Sequence, residues 1–383
     1  MICALRKCSG ALIAMLGITS TLAATAEDDA LKRVYLGTYT GESSQGIYLV
    51  EVHEKAGRFY ERGLAAKTEN PSFLAKHPKL PVIYAVGEIE GDGDGGTISA
   101  FRIDAETGML SALNQASTGG AGPCHVAVAP SGAHVAVANY SGGSVALLPL
   151  GEDGSLAPAS AFVQHAGSSV NPQRQEAPHA HSVHFDPSGK YLLSADLGTD
   201  QLLVYRYDET AGTLTPNDPP FAALPPGAGP RHFVFHPSGK FVYVVNELDS
   251  TVSVFAWDGE TGALEAVQQI GTLPKDFTGE STTAEIRVHP TGRFLYASNR
   301  GHDSITVFTI DAKTGLLNLV GHSPTGGSTP RNFNLDPSGR FLIAANQRSD
   351  SVFLFRVDQN TGRLTATGSS VAVGAPVCVL YSN

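Results

Sequence analysis

The 383-residue sequence predicts an all-β protein, a seven-bladed β-propeller closed by pairing of its N- and C-terminal strands. Three observations predict it: one pattern recurs seven times, its period leaves no room for a helix in each unit, and the two ends each supply part of an incomplete unit. With 42% hydrophobic and 16% charged residues the chain is too apolar for disorder. A formal charge of −10 and a single Trp argue against nucleic acid as a partner, because a phosphate backbone needs a basic face.

The elements follow in chain order. Residues 1–26 read as a cleaved export signal: Arg6 and Lys7 precede an apolar stretch from Ala11 to Ala24, which ends in Ala24-Thr25-Ala26 before Glu27-Asp28-Asp29. The stretch is shorter than the roughly 20 residues a spanning helix needs, and no Cys follows it to take a lipid, so no membrane association is expected. A periplasmic or secreted monomer is expected. Removing Arg6 and Lys7 takes the charge from −10 to −12, so an anionic ligand requires a local cluster of arginines. Cys3 and Cys8 leave with the signal, while Cys124 and Cys378 lie on non-neighbouring units and read as small buried residues.

Val34-Tyr35-Leu36-Gly37-Thr38 opens a single domain over residues 30–383 and reads as a second strand with nothing before it. Each following unit has an apolar run, then a turn of Pro-Ser-Gly type at Pro78, Pro130, Pro187, Pro237, Pro290 or Pro337. A second apolar run ending in Asn or Asp comes next, then an alternating third run and a turn ending in Gly. The closing glycines are Gly57, Gly108, Gly154, Gly212, Gly262, Gly315 and Gly362, 46 to 58 residues apart, which suits four short strands. Runs such as Phe241 to Val245 and Thr251 to Phe255 are β-branched and aromatic. Pro376-Val377-Cys378-Val379-Leu380-Tyr381 reads as a first strand with no second after it, so the two ends complete one blade and leave no open edge.

In a propeller the first strand of each blade lies innermost. The Pro-Ser-Gly turns therefore share one face, and the starts of first strands meet the ends of second strands on the other, around the mouth of the central channel. Repetition serves there as an internal control: a polar residue present in most units is structural, and one that departs needs another reason. Nine residues after the prolines stand Gly87, Asn139, Asp196, Asn246, Asn299 and Asn346, mostly side chains of turn closure. The next position holds Tyr39, Glu88, Tyr140, Leu197, Glu247, Arg300 and Gln347, among which Glu247 and Arg300 stand out. Six residues before the prolines stand Ser72, Cys124, His181, Arg231, Ala284 and Arg331, of which His181, Arg231 and Arg331 are irregular.

The position after these includes His125, His232 and Glu285, and strand alternation turns the two sets apart, so only one faces the mouth directly. His181, Arg231, Glu247 and Arg300 lead, Arg331 follows, and packing competes with function for His125, His232 and Glu285. The unit leading to Pro187 also carries a long polar insert, His165 to His181, placed to cover a site.

The chain has no Gly-x-Ser-x-Gly, His-Glu-x-x-His, Gly-x-x-x-x-Gly-Lys or Cys-x-x-Cys motif, and neither a metal nor a cofactor is expected. A His with a Glu and two or three Arg remains, a set suited to acid–base chemistry on an anionic, carbonyl-bearing substrate. His181 can accept a proton from water or protonate a leaving oxygen, and Glu247 can orient or share that proton. Arginines can hold a carboxylate or phosphate and a developing oxyanion. Opening a lactone ring needs those parts.

The chain resembles the seven-bladed lactonase propellers, a family that includes bacterial 6-phosphogluconolactonases and fungal carboxymuconate cyclases. The resemblance runs from about Val34 to the C-terminus. It rests on the insert from Gly167 through Arg174-Gln175-Glu176 to His181-Ser182-Val183, and on Asp196-Leu197-Gly198-Thr199-Asp200, Gly229-Pro230-Arg231-His232 and Asn246-Glu247-Leu248. Ala284-Glu285-Ile286, Asn299-Arg300-Gly301 and Pro330-Arg331-Asn332 complete it. It implies a metal-independent site on the propeller face, with the His, Glu and arginines of the cyclases falling on His181, Glu247, Arg231 and Arg300. It further implies that the insert frames the pocket and that Arg174 contacts an anion.

The implied activity is hydrolysis of a small anionic sugar lactone, 6-phospho-D-glucono-1,5-lactone, or of an unphosphorylated aldonolactone. The export signal brings the second into contention, since the phosphorylated lactone forms inside the cell. Cycloisomerisation of a carboxymuconate is the alternative enzyme reading. A non-catalytic propeller binding a protein or glycan is the third, weakened by the few aromatics at the mouth, Tyr39, Phe73 and Tyr140.

Overall fold

The computed structural model describes residues 1–2, 31–89 and 95–382. The expected export signal therefore lies, apart from its first two residues, outside the described chain. Twenty-eight strands form seven four-stranded antiparallel sheets, and the one helical element among the described residues is a 3-10 turn, Gln347–Ser349. Blades 1 to 6 run in chain order, with first strands Leu74–Lys76, Pro123–Val128, Ala180–Phe185, Pro230–Phe235, Thr282–Val288 and Pro330–Leu335. Blade 7 closes the ring as the termini predict: Pro376–Tyr381 pairs with Leu31–Thr38, Val34 opposite Tyr381 and Gly37 opposite Cys378. No helix of the described residues is long and apolar enough to cross a membrane.

The second strands explain the continuous apolar runs of the sequence. Val82–Gly87, His134–Asn139, Tyr191–Asp196, Phe241–Asn246 and Phe341–Asn346 are buried along their whole length, each face packed against a neighbouring blade. Fourth strands such as Leu110–Ser117 lie at the rim and are largely exposed.

Adjacent blades are tied by tyrosines of the second strands: the hydroxyls of Tyr35, Tyr84, Tyr243 and Tyr296 donate to the carbonyls of Gly108, Gly154, Gly315 and Gly362 of the next blade. All seven of these closing glycines have positive φ, between 63 and 85°. At Gly262 (φ 72°) an added Cβ would also stand 2.5 Å from the Tyr191 ring of the preceding blade. Backbone and packing together demand glycine there.

Candidate active site

One backbone device positions much of the channel mouth. In blade 3 Ala180 pairs with Asp196 and Ser182 with Ala195, which leaves His181 without a place in the ladder. The same shift leaves out Cys124 after Pro123, Arg231 after Pro230 and Arg331 after Pro330. Such a β-bulge bends the strand and re-aims the extra side chain. Three of the four, His181, Arg331 and Cys124, thereby line a cavity of about 290 Å³, and Arg231 backs it, 2% exposed. The ends of the second strands complete the wall with Glu88, Tyr140, Glu247 and Arg300.

Glu247 organises the cavity. Its Oε2 accepts from Arg231 Nε and Arg300 Nη2, both at 2.9 Å, and its Oε1 from Arg174 Nη2 at 2.7 Å. Burial alone would raise its carboxyl, but the Arg300, Arg231 and Arg174 guanidiniums hold it well below the usual carboxylate range. Each arginine is fixed a second time: Arg231 Nη1 donates to Ala284 O (2.7 Å), Arg300 Nη2 to Thr283 O (2.8 Å) and Arg174 Nη2 to Tyr140 Oη (3.2 Å). Arg331 donates to Tyr39 Oη (2.9 Å) and lies over that ring, 5.3 Å from its centroid. Arg300 Nε is buried with no hydrogen-bond partner among the described residues. Burial lowers the Arg300 guanidinium to about 10, so it remains charged at neutral pH. Four arginines around two glutamates make this a positive spot in a chain of formal charge −10.

His181 is the titratable partner. Its Nε2 stands 3.9 Å from Glu247 Oε2, beyond hydrogen-bond reach, and its Nδ1 lies 3.7 Å from Cys124 Sγ. Burial, with Arg231 and His232 adding to it, pushes its pKa well below the usual 6.5. The imidazole is uncharged at neutral pH and its Nε2 can accept a proton. The Cys124 thiol is driven up by burial and stays protonated.

From the insert, Arg174 and the terminal His181 line the cavity. Gln175, fully buried, donates to Leu197 O (2.9 Å) and accepts from Asn171 N (3.1 Å). His165 Nδ1 lies 2.6 Å from Asp196, whose other oxygen accepts from His179 N (2.9 Å). Ser169 donates to Asp200 (2.5 Å), and Asp200 also accepts from the backbone of Gly227 and Gly229, joining the insert to blade 4. Held at these points, the insert delivers Arg174 onto Glu247.

The structure brings His181, Glu247, Arg231, Arg300, Arg331 and Arg174 together and places His125, His232 and Glu285 one layer deeper. There the His125 ring packs on Phe73, centroids 4.0 Å apart, and Glu285 faces His232 Nδ1 at 3.2 Å and Arg287 at 3.3 Å. His232 still reaches the site from below, because its Nε2 accepts from Arg231 Nη1 at 3.2 Å. Glu88, Tyr140 and Tyr39 went unweighted in the sequence although they share the irregular column with Glu247 and Arg300; the column as a whole was the signal. Among the described residues no cluster of three or more His, Cys, Asp or Glu is arranged to hold a metal ion.

Fold and site together define a class of protein: a closed β-propeller with a small anion-attracting, acid–base cavity at the mouth of its channel. The sequence profile described as "Lactonase, 7-bladed beta-propeller" matches residues 33–381, and the chain belongs to that family. It is 39% identical to a 6-phosphogluconolactonase of Bacillus subtilis over 75% of this chain and 80% of that protein. It is 35% identical to one of Formosa agariphila over 76% of this chain and 83% of that one. A periplasmic gluconolactonase of Pseudomonas aeruginosa superposes with a TM-score of 0.86 at 37% identity, covering 92% of this chain and 99% of that structure.

Proposed function

We propose that the protein hydrolyses a sugar lactone at this cavity, with His181 as general base and the arginines as oxyanion and carboxylate holders. The observation that carries the reading is an uncharged, buried imidazole beside a carboxylate that three arginines hold ionised. Glu247 is then an organiser of charge rather than a proton acceptor. His181 Nε2 takes a proton from water as the water oxygen bonds to the acyl carbon. The carbonyl oxygen becomes an oxyanion facing Arg300 and Arg331. Collapse breaks the bond from the acyl carbon to the ring oxygen, which takes the proton back from His181. One water is consumed and one hydroxy acid formed. The names of the related proteins, 6-phosphogluconolactonases and a gluconolactonase, support the same substrate class.

The pattern of residues 1–26 and the periplasmic relative support an exported protein, for which an unphosphorylated aldonolactone is the available substrate. The test is acid release from glucono-δ-lactone and 6-phosphogluconolactone above the spontaneous rate, in parallel with His181→Ala and Arg231→Ala. Acceleration lost in both variants is expected, with the faster substrate deciding the phosphate. No acceleration on either lactone overturns the reading and puts the cycloisomerase, which takes up no water, and the non-catalytic binding propeller ahead.

A further inference from the structure

Beside the reaction cavity lies a groove of about 540 Å³ between blades 5 and 6, and the two spaces meet at Arg300 and Arg331, which line both. Glu280 and Asp303 on the blade 5 side and Ser328, Gln347 and Arg348 on the blade 6 side make up most of the rest, with no large apolar side chain. Asp303 ties the two sides, its Oδ1 accepting from Gly301 N at 3.1 Å and from Thr329 N at 2.8 Å. Among the described residues, the side chains of Thr282, Gln347 and Arg348 engage no protein partner. Thr282, Gln347 and Arg348 therefore present unpartnered donors and acceptors to a groove already shaped by the protein.

We propose that this groove is a second sugar subsite, which takes an uncharged glycosyl unit attached to the lactone ring. The substrates then include the aldonolactones of disaccharides, a proposal that rests on the lactonase reading above. Size supports it: the reaction cavity alone is at the small end of ligand sites, roughly 300–1,000 Å³, and the groove is nearly twice as large. Charge chooses the occupant. Arg300 is paired to Glu247, which Arg231 and Arg174 share, Arg331 donates to the Tyr39 hydroxyl, and Arg348 shares the groove with the carboxylates of Glu280 and Asp303. A phosphate dianion would meet two carboxylates there. Sugar hydroxyls instead donate to the carboxylates and accept from the Gln347 amide and the Arg348 guanidinium. A lactone ring held against Arg300 and Arg331 lies beside this groove, because both residues line the two spaces.

The experiment compares kcat/KM on glucono-δ-lactone, cellobiono-1,5-lactone and 6-phosphogluconolactone for the unaltered protein, the double variant Gln347→Ala/Arg348→Ala and Ser328→Trp, which fills the groove. The expected result is that the disaccharide lactone is opened and that its kcat/KM relative to glucono-δ-lactone falls about tenfold in both variants, as lost polar contacts and lost space require. A disaccharide lactone left unopened while glucono-δ-lactone is opened overturns the subsite alone. An unchanged ratio in both variants does the same. A selective loss on 6-phosphogluconolactone would place the phosphate in the groove and refute the glycosyl assignment. No acceleration on any of the three defeats the underlying lactonase reading instead.

Discussion

His181 and Arg231 stand at bulges, whereas Ser182 and His232 stand one residue further along the same two strands. That single step separates two kinds of charged environment. At the mouth, Glu247 gathers three arginines around a cavity, and Arg300 Nε and His181 Nε2 remain without hydrogen bonds. Beneath, Glu285 faces His232, Arg287 and Asn332, and its Oε1 accepts from Ile286 N at 2.9 Å. Asn332 in turn accepts from Val379 N at 2.9 Å, so the lower network reaches the closing blade. The Glu285 carboxyl below is engaged with protein groups throughout, whereas the upper layer borders an open cavity in which a ligand can be met. The comparison teaches that chemistry here follows from what a group has left unbonded next to open volume, more than from the group itself.

The strongest way to break this contrast is to remove the proposed base. His181→Ala is expected to reduce kcat on the preferred lactone by about 10²–10⁴-fold, with an unchanged near-ultraviolet circular dichroism spectrum. A residual rate within tenfold of the unaltered protein would mean that another group takes the proton. Because burial holds His181 well below 6.5, the unaltered protein should keep its activity as pH falls through 6.5 and lose it only in stronger acid. A stopped assay at low pH, where spontaneous ring opening is slow, reads this directly. A midpoint at 6.5 would show a solvated histidine and sink the assignment.

Next in size is Glu247→Gln, which keeps the shape and removes the charge that three arginines share. Unpairing buried cations costs about 3–5 kcal/mol. Chemical denaturation should show a large loss, against about 1–3 kcal/mol for Glu285→Gln below. Equal losses would erase the distinction between the layers. Arg174→Ala is smaller: its side chain is 38% exposed and reaches Glu247 from the insert. It should raise KM about tenfold with little change in kcat if its task is to hold the substrate in the ground state, since binding of that kind is lost equally from ground and transition states. A fall in kcat alone would make it part of the oxyanion site.

Much of the fold was legible because seven copies of one pattern reinforce each other. The second-strand tyrosines and the positive-φ glycines are recurring contacts, and repetition exposes such contacts. The mouth residues were legible for the opposite reason: His181, Arg231, Glu247 and Arg300 depart from the repeat. Two features escaped. The bulges depend on strand register, which a single sequence does not display, so His125, His232 and Glu285 shared candidacy with residues one position away. Arg174 was accessible only through resemblance, because an insert has no counterpart in the other units.

The finest test uses the two glutamates as opposed reporters. Glu247 is held well below 4.5 by its arginines despite its burial. Its contribution to stability is fully present above the unfolded value and lost as pH falls through the folded value. Glu285 is shifted the other way, raised by burial that Arg287 only partly offsets. Its contribution is present below the unfolded value and lost as pH rises through the folded one. Subtracting the Tm of Glu247→Gln from that of the unaltered protein should therefore give a difference that grows from acid toward neutral pH. The corresponding difference for Glu285→Gln should shrink over the same range. In a chain of this length each kcal/mol moves Tm by only about 1–2 °C, so the slopes are measured by calorimetry over closely spaced pH values. Slopes of the same sign would mean that the two layers share one electrostatic environment, and the division drawn at the bulges would fall with it.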